Sequence, residues 1–363
     1  GDGGSGYSLT KAGAGSMTLS GANAYTGVTV VSDGSLTLAG NQSAANGGLS
    51  VGPASTGGSL SIAPGAIVTV ATNKTVRIGN TGSSGTTTIN MYVGGTVTNE
   101  GTLLAGRTSN LQVTNGASWL QSGNMEVRAN GGYSARVREL TGATFTYTGT
   151  NTVKLNGGSN GGRAQLILSG AFNTPVGFEQ TATGGSDIIL NTGGTLRLTA
   201  SVPSLLTNGV LLSALGGTID TAGFDTDVAG DVTGDGGWTK AGAGTLVLES
   251  VNNTNAGSLF ITGGTLALSN SAVLVSTNIS LAGGAAFDVA GLLSPFALAG
   301  GQTLGNSSST ALLNGNVDAT FGSLALTYAA GTPALSVANG TLTLDAATPV
   351  TVNNTGAALG NGS

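Results

Sequence analysis

The amino-acid sequence predicts an all-β fold, a parallel β-solenoid of about 16 coils, and three observations lead there. A phrase of glycine, a hydroxyl residue and alternating aliphatics keeps returning: Gly34-Ser35-Leu36-Thr37-Leu38, Gly58-Ser59-Leu60-Ser61-Ile62, Gly194-Thr195-Leu196-Arg197-Leu198, Gly244-Thr245-Leu246-Val247-Leu248, Gly264-Thr265-Leu266-Ala267-Leu268 and Gly340-Thr341-Leu342-Thr343-Leu344. Neighbouring copies begin roughly 18 to 27 residues apart, a spacing of stacked coils rather than of separate domains. Elsewhere apolar and polar residues alternate with the two-residue period of half-buried strands, and helix signals are nearly missing. A strand with one aliphatic face cannot bury that face alone; stacking copies in parallel gives one continuous core and pairs the backbone of every interior coil.

Along the chain, Leu36 and Leu38, Leu60 and Ile62, Val76 and Ile78, Val153 and Leu155 are expected to point inward, as are Leu196 and Leu198, Leu246 and Leu248, Leu266 and Leu268, Leu342 and Leu344. Asn-Gly pairs, beginning at Asn46, Asn115, Asn130, Asn156, Asn160, Asn208, Asn314, Asn339 and Asn361, supply tight corners between the runs. A sandwich of hairpins would use such corners equally well, but it does not predict near-identical strand phrases at coil spacing. The whole of 1–363 is therefore expected to form one continuous solenoid, whose length follows from about 22 residues per coil.

Composition narrows the chemistry. The 363 residues include 65 glycines, only 7% charged residues, no cysteine and no histidine. Thiol catalysis, disulfide staples, Cys/His zinc sites and histidine acid–base chemistry are excluded within this chain. A net charge of −5 and dispersed Lys and Arg argue against nucleic-acid binding, which needs a basic stripe. No run of apolar residues is long enough to span a membrane as a helix. The first residue is Gly1 and no leader pattern follows, as expected of a processed product or a piece of a longer one.

Two longer segments correspond at a second level. Thr10-Lys11-Ala12-Gly13-Ala14-Gly15-Ser16-Met17-Thr18-Leu19, preceded by Gly1-Asp2-Gly3-Gly4, matches Thr239 to Leu248, preceded by Gly234 to Gly237. Gly34 to Leu38 then matches Gly264 to Leu268 after similar gaps. These copies, at 1–38 and 234–268, resemble the autotransporter-associated β-strand repeat, also called the passenger-associated transport repeat. The first copy keeps the Asn-x-Tyr-x-Gly segment as Asn23-Ala24-Tyr25-Thr26-Gly27; the second has Trp238 for a leucine and lacks the tyrosine in Asn253-Thr254-Asn255-Ala256-Gly257. The resemblance implies a right-handed parallel β-helix outside the cell or on a bacterial surface. It carries almost nothing about activity.

Two clusters are candidates for chemistry. Asp220, Asp225, Asp227, Asp231 and Asp235 are dense enough to suggest calcium, with Asp225, Asp227, Asp231 and Asp235 the candidate ligands, although outward turns before a repeat carry such residues anyway. Glu100, Arg107, Glu126, Arg128, Arg136, Arg138 and Glu139 suggest a charged outer groove, or simply solvated cross-strand ladders. Trp119 and Tyr133, beside Arg128, Arg136 and Arg138, form the candidate sugar-stacking platform; a lone Trp covering the core is the plainer alternative. Lys11 and Lys240 are expected at coil corners, and no cofactor is expected. The leading expectation is a non-catalytic structural solenoid that pairs with itself head-to-tail through its terminal coil edges, with surface glycans as further partners. An adhesin passenger binding glycan or matrix ligands comes second, and a polysaccharide-active enzyme third.

Overall fold

The computed structural model describes residues 4–42, 47–53, 57–80, 86–181, 185–329 and 331–356. Gly1 to Gly3 of the first repeat phrase, Asn46, Asn361 and the tail 357–363 lie outside the described residues. The fold is an all-β parallel solenoid of about 14 turns, without an α-helix among the described residues. The expectation of about 16 turns assumed a uniform coil. The step between paired residues in fact runs from 19, Ser16 to Ser35, up to 31, Leu60 to Met91, because corners differ in length. The chain divides into two compact units, Gly1–Leu196 and Arg197–Ser363.

In the first unit three parallel sheets wrap one core. One begins with Leu9–Lys11 and Thr29–Val31 and continues through Met125–Arg128 and Val153–Asn156 to Phe178–Gln180. The second begins with Ser16–Leu19 and Ser35–Leu38 and includes Ala135–Glu139, Ala164–Leu168 and Ser186–Leu190. The third holds Ile67–Val70, Thr96–Asn99, Ser118–Gln121, Thr144–Tyr147 and Ala171–Thr174. Because side chains alternate along each strand, in-register stacking turns each inward position into a ladder: Leu36, Leu60, Met91, Leu111, Val137, Leu166 and Ile188 lie one above another, all buried. On the third sheet the ladder is aromatic. Trp119 stacks on Phe145 at 5.7 Å between ring centroids, and Phe145 on Phe172 at 5.1 Å.

The second unit repeats the arrangement. Thr245–Leu248 pairs with Thr226–Val228 on one side and Thr265–Asn270 on the other, so that Leu246 lies between Thr226 and Leu266. A second sheet runs from Gly217–Asp220 and Trp238–Ala241 through Leu259–Ile261 and Asn278–Leu281 to Val350–Asn354. Corner glycine is required where coils touch. Gly264 has φ +59°, and a Cβ there would sit 2.3 Å from the Gly244 carbonyl oxygen. The expected inward pairs are buried, with one correction: Leu342 is only half-buried and Leu344 is 44% exposed. Among the described residues their coil pairs on one side only, Leu342–Thr343 against Val317–Asp318, and no described strand covers the other side.

One inward position breaks the apolar rule. Glu139 belongs to the ladder Val113, Glu139, Leu168, Leu190; it is 0% exposed and neither carboxyl oxygen has a hydrogen-bond partner. Burial pushes its pKa well above the ordinary carboxylate value of 4.5. The native state thus holds the proton more tightly than the unfolded chain does. The associated stability is complete below pH 4.5 and is lost as pH rises through the native pKa. Glu139→Leu, matching its neighbours, is expected to raise stability at pH 7 by about 1–3 kcal/mol, the cost of a buried unpaired group. Thermal melts across pH 4 to 8 check this: the gain should widen with pH, and a variant that melts lower at every pH refutes it.

Candidate functional site

The sequence-derived candidates separate in space. Asp225 caps the strand above it by accepting from the Thr245 N–H at 2.7 Å, Asp220 accepts from the Ala222 N–H at 2.8 Å, and Asp231 accepts from the Ser250 hydroxyl. Asp227 points outward from mid-strand and Asp235 lies exposed. Among the described residues no three acidic or other metal-ligating side chains converge, and the aspartates are spread over separate corners and strand starts.

The proposed stacking platform is corrected. Trp119 is buried in the aromatic ladder, because its position in Ser118–Gln121 is an inward one, and its indole N–H donates to Gln121 Oε1 at 3.1 Å. Glu139 likewise leaves the outer charged cluster for the core. Tyr133 stays half-buried under the Arg107 guanidinium, 3.8 Å from its ring centroid, so one ring face is already covered. Tyr133 and Arg136 do meet, in a small notch of about 170 Å³ with Thr86, Thr88, Thr108 and Ser134. Arg136 donates to Gln165 Oε1 at 2.7 Å, while Arg138 lies half-buried between Gln112 and Ile167.

Arg128 lies on a different sheet, and it leads to the larger feature. Its guanidinium makes a bidentate pair with Glu126, at 2.7 and 2.9 Å, and Asn156 donates to the same carboxylate. In register above Glu126 come Lys154 and then Glu179, the latter two 3.5 Å apart and each about half exposed. These side chains floor an open cleft of about 680 Å³ walled by Thr102, Asn124, Thr150, Asn151 and Thr152. The wall arises from corner length. Three residues join Gln121 to Met125 and three join Thr174 to Phe178, but five join Tyr147 to Val153. The longer corner stands out as a ledge, with Thr150 and Asn151 exposed. It is held from both sides: the buried Tyr147 hydroxyl donates to the Asn151 carbonyl at 2.8 Å, and Asn151 Nδ2 donates to Asn124 Oδ1 at 2.7 Å. The cleft was not apparent from the sequence; its one signal is the unequal spacing between successive strand phrases.

The corner lysines sit as expected, and the structure supplies their purpose. Lys240 is 0% exposed, and its ammonium donates to the carbonyls of Gly242 (2.7 Å), Gly244 (2.5 Å) and Gly263 (2.9 Å) and to the Thr221 hydroxyl (3.1 Å). Lys11 does the same with Ala12, Gly13 and Asp33. Each lysine therefore ties its own corner to the corner of an adjacent coil. Such a nitrogen is fully occupied by backbone and is not a nucleophile or an anion site.

Comparison with known proteins agrees with the repeat reading. The passenger-associated-transport-repeat family model matches residues 9–51 and 239–268, which contain Lys11 and Lys240. The chain is similar to an adhesin, the BmaC autotransporter of Brucella suis biovar 1 (strain 1330), with 36% identity over 138 residues, 36% of this chain. The aligned part spans only 4% of that protein's length. No solved structure matches.

Burial pulls the Lys240 pKa from 10.5 down to about 8, against the opposite pull of Asp220 and Asp225. Between those two values the unfolded chain binds the proton and the native state releases it, so this residue's contribution to stability rises with pH over that window. Lys240→Met is expected to lose at least about 2 kcal/mol by stranding buried carbonyls, and the deficit relative to wild type should grow from pH 8 to 10. Lys240→Gln should recover part of the loss. Equal melting of Lys240→Met and wild type would overturn this assignment.

Proposed function

We propose that this chain is a passenger-type segment of a bacterial surface adhesin, a non-catalytic β-solenoid whose outer faces carry recognition. Its location outside the cell or on the cell surface follows from the transport repeats and from the adhesin similarity. The observation that carries the reading is the repeat itself: its lysine and glycines are consumed in tying corner to corner, so they build a scaffold and leave the outer faces free to vary. A non-catalytic role is supported by the absence of histidine and cysteine and by outer carboxylates already held by neighbours, Glu126 by Arg128 and Glu179 by Lys154.

The test uses intact cells of the source bacterium. Antibodies raised against the purified chain should label unpermeabilised cells, and the soluble chain should compete with cell attachment and reduce it several-fold. Labelling only after permeabilisation, or attachment indifferent to the chain, refutes the reading.

A finer proposal is head-to-tail pairing between copies. Its support is one-sided pairing among the described residues: Leu9–Lys11 pairs there with Thr29–Val31 alone, and Val350–Asn354 with Ser323–Tyr328 alone. Unpaired strand edges template further pairing. Sedimentation should show concentration-dependent growth that proline at Val352 blocks. A monomer at every concentration refutes the pairing and leaves the surface role standing.

A further inference from the structure

We infer that the cleft above Glu126, Lys154 and Glu179 binds an uncharged, hydroxyl-rich glycan; the inference rests on the surface-adhesin reading and gives it a ligand class and a site. At about 680 Å³ the cleft lies within the usual range for small-ligand sites, roughly 300–1,000 Å³. Its lining is almost wholly made of groups that exchange hydrogen bonds with hydroxyls. Thr102, Thr150 and Thr152 offer hydroxyls, Asn124 and Asn151 amides, and Glu179 and Lys154 a half-exposed acceptor and donor side by side.

The charge pattern selects among ligands. Glu126 is neutralised by Arg128, and Glu179 by Lys154, so no uncompensated cation is available for a sulfate or carboxylate. An anionic polymer entering the cleft would have to compete with Glu126 and Glu179 for the cations they already hold. The apolar side chain in the lining, Met125, is buried beneath the surface, so the apolar surface that the cleft offers is that of threonine methyls and of lysine and glutamate stems, interleaved with polar groups. A polar, uncharged chain of hydroxyls meets none of these penalties.

Pre-organisation is the second, independent observation. The ledge is two residues longer than the corners on the neighbouring coils, and it is fixed from inside by Tyr147 and across the coil by Asn124. Burial raises the Tyr147 hydroxyl to a pKa of about 12, so it remains a donor at any physiological pH. A wall held in place before binding spares a ligand the entropy of ordering it.

The experiment is calorimetric titration of the purified chain with neutral hexamers of cellulose, amylose, mannan and chitin, and with heparin. At least one neutral hexamer should bind saturably, and heparin should not. Two variants are expected to weaken that binding by about tenfold or more, as a site built to hydrogen-bond hydroxyls does when a partner is lost. One is the near-isosteric Glu179→Gln; the other is deletion of Thr150 and Asn151, which restores the three-residue length of the adjacent corners. Circular dichroism and melting of both establish that the solenoid persists, and Tyr147→Phe provides a further variant that loosens the ledge from within. Failure of every neutral hexamer, preference for heparin, or affinity unchanged in both variants overturns the inference. Cell labelling and attachment are measured in parallel with the Glu179→Gln chain. If they persist while hexamer binding is absent, the glycan site fails and the surface reading survives; loss of labelling in wild type fails the surface reading itself.

Discussion

The structure depends on the backbone carbonyls at its corners being given hydrogen-bond donors from within. Strands pair with coils above and below, but a corner that bends the chain turns carbonyls toward a core that offers them nothing. The chain answers with one buried polar side chain at such corners. Lys240 takes three carbonyls, and in the first unit Gln121 donates to the carbonyls of Gly101, Gly123 and Asn124. Asn255 reaches Gly234 and Gly236, and Gln302 reaches Leu274 and Ser276. In each case at least one partner lies on an adjacent coil, so the side chain that satisfies a corner also fixes the stacking of its neighbours.

Lysine and glutamine solve this differently. Trp119-Leu120-Gln121 and Trp238-Thr239-Lys240 set an inward indole two residues before an inward polar group. Gln121 both donates and accepts, and its Oε1 takes the Trp119 indole N–H. An ammonium has no acceptor, and the Trp238 indole nitrogen is buried without a partner. Lysine brings one more donor to the carbonyls and gives up the indole.

The fold was legible because its determinants are local and repeated. Leu246 and Leu248 announce an inward pair by spacing alone, and the Thr-Lys-x-Gly-x-Gly phrase announces a corner. What escaped depends on phase and on length. Trp119 has the composition of a binding aromatic, yet the alternation of Ser118–Gln121 turns it inward; Glu139 ends Ala135–Glu139 on the inward phase that Val137 sets. Both follow from counting by two from a known inward residue. The cleft is harder to see, since it comes from side chains some 25 residues apart, Glu126, Lys154 and Glu179, meeting through parallel register. Which residues align is fixed only once the length of every intervening corner is known.

The two extra residues between Tyr147 and Val153 leave Thr144–Tyr147 and Val153–Asn156 in register with the strands beside them. Lengthening a surface loop costs little free energy, and here it displaces no core side chain. Corner length and core sequence are therefore separate inheritances. A lineage carrying this scaffold can add or remove a wall by insertion or deletion at a single corner, and so change what its outer surface meets while the ladders beneath stay as they were.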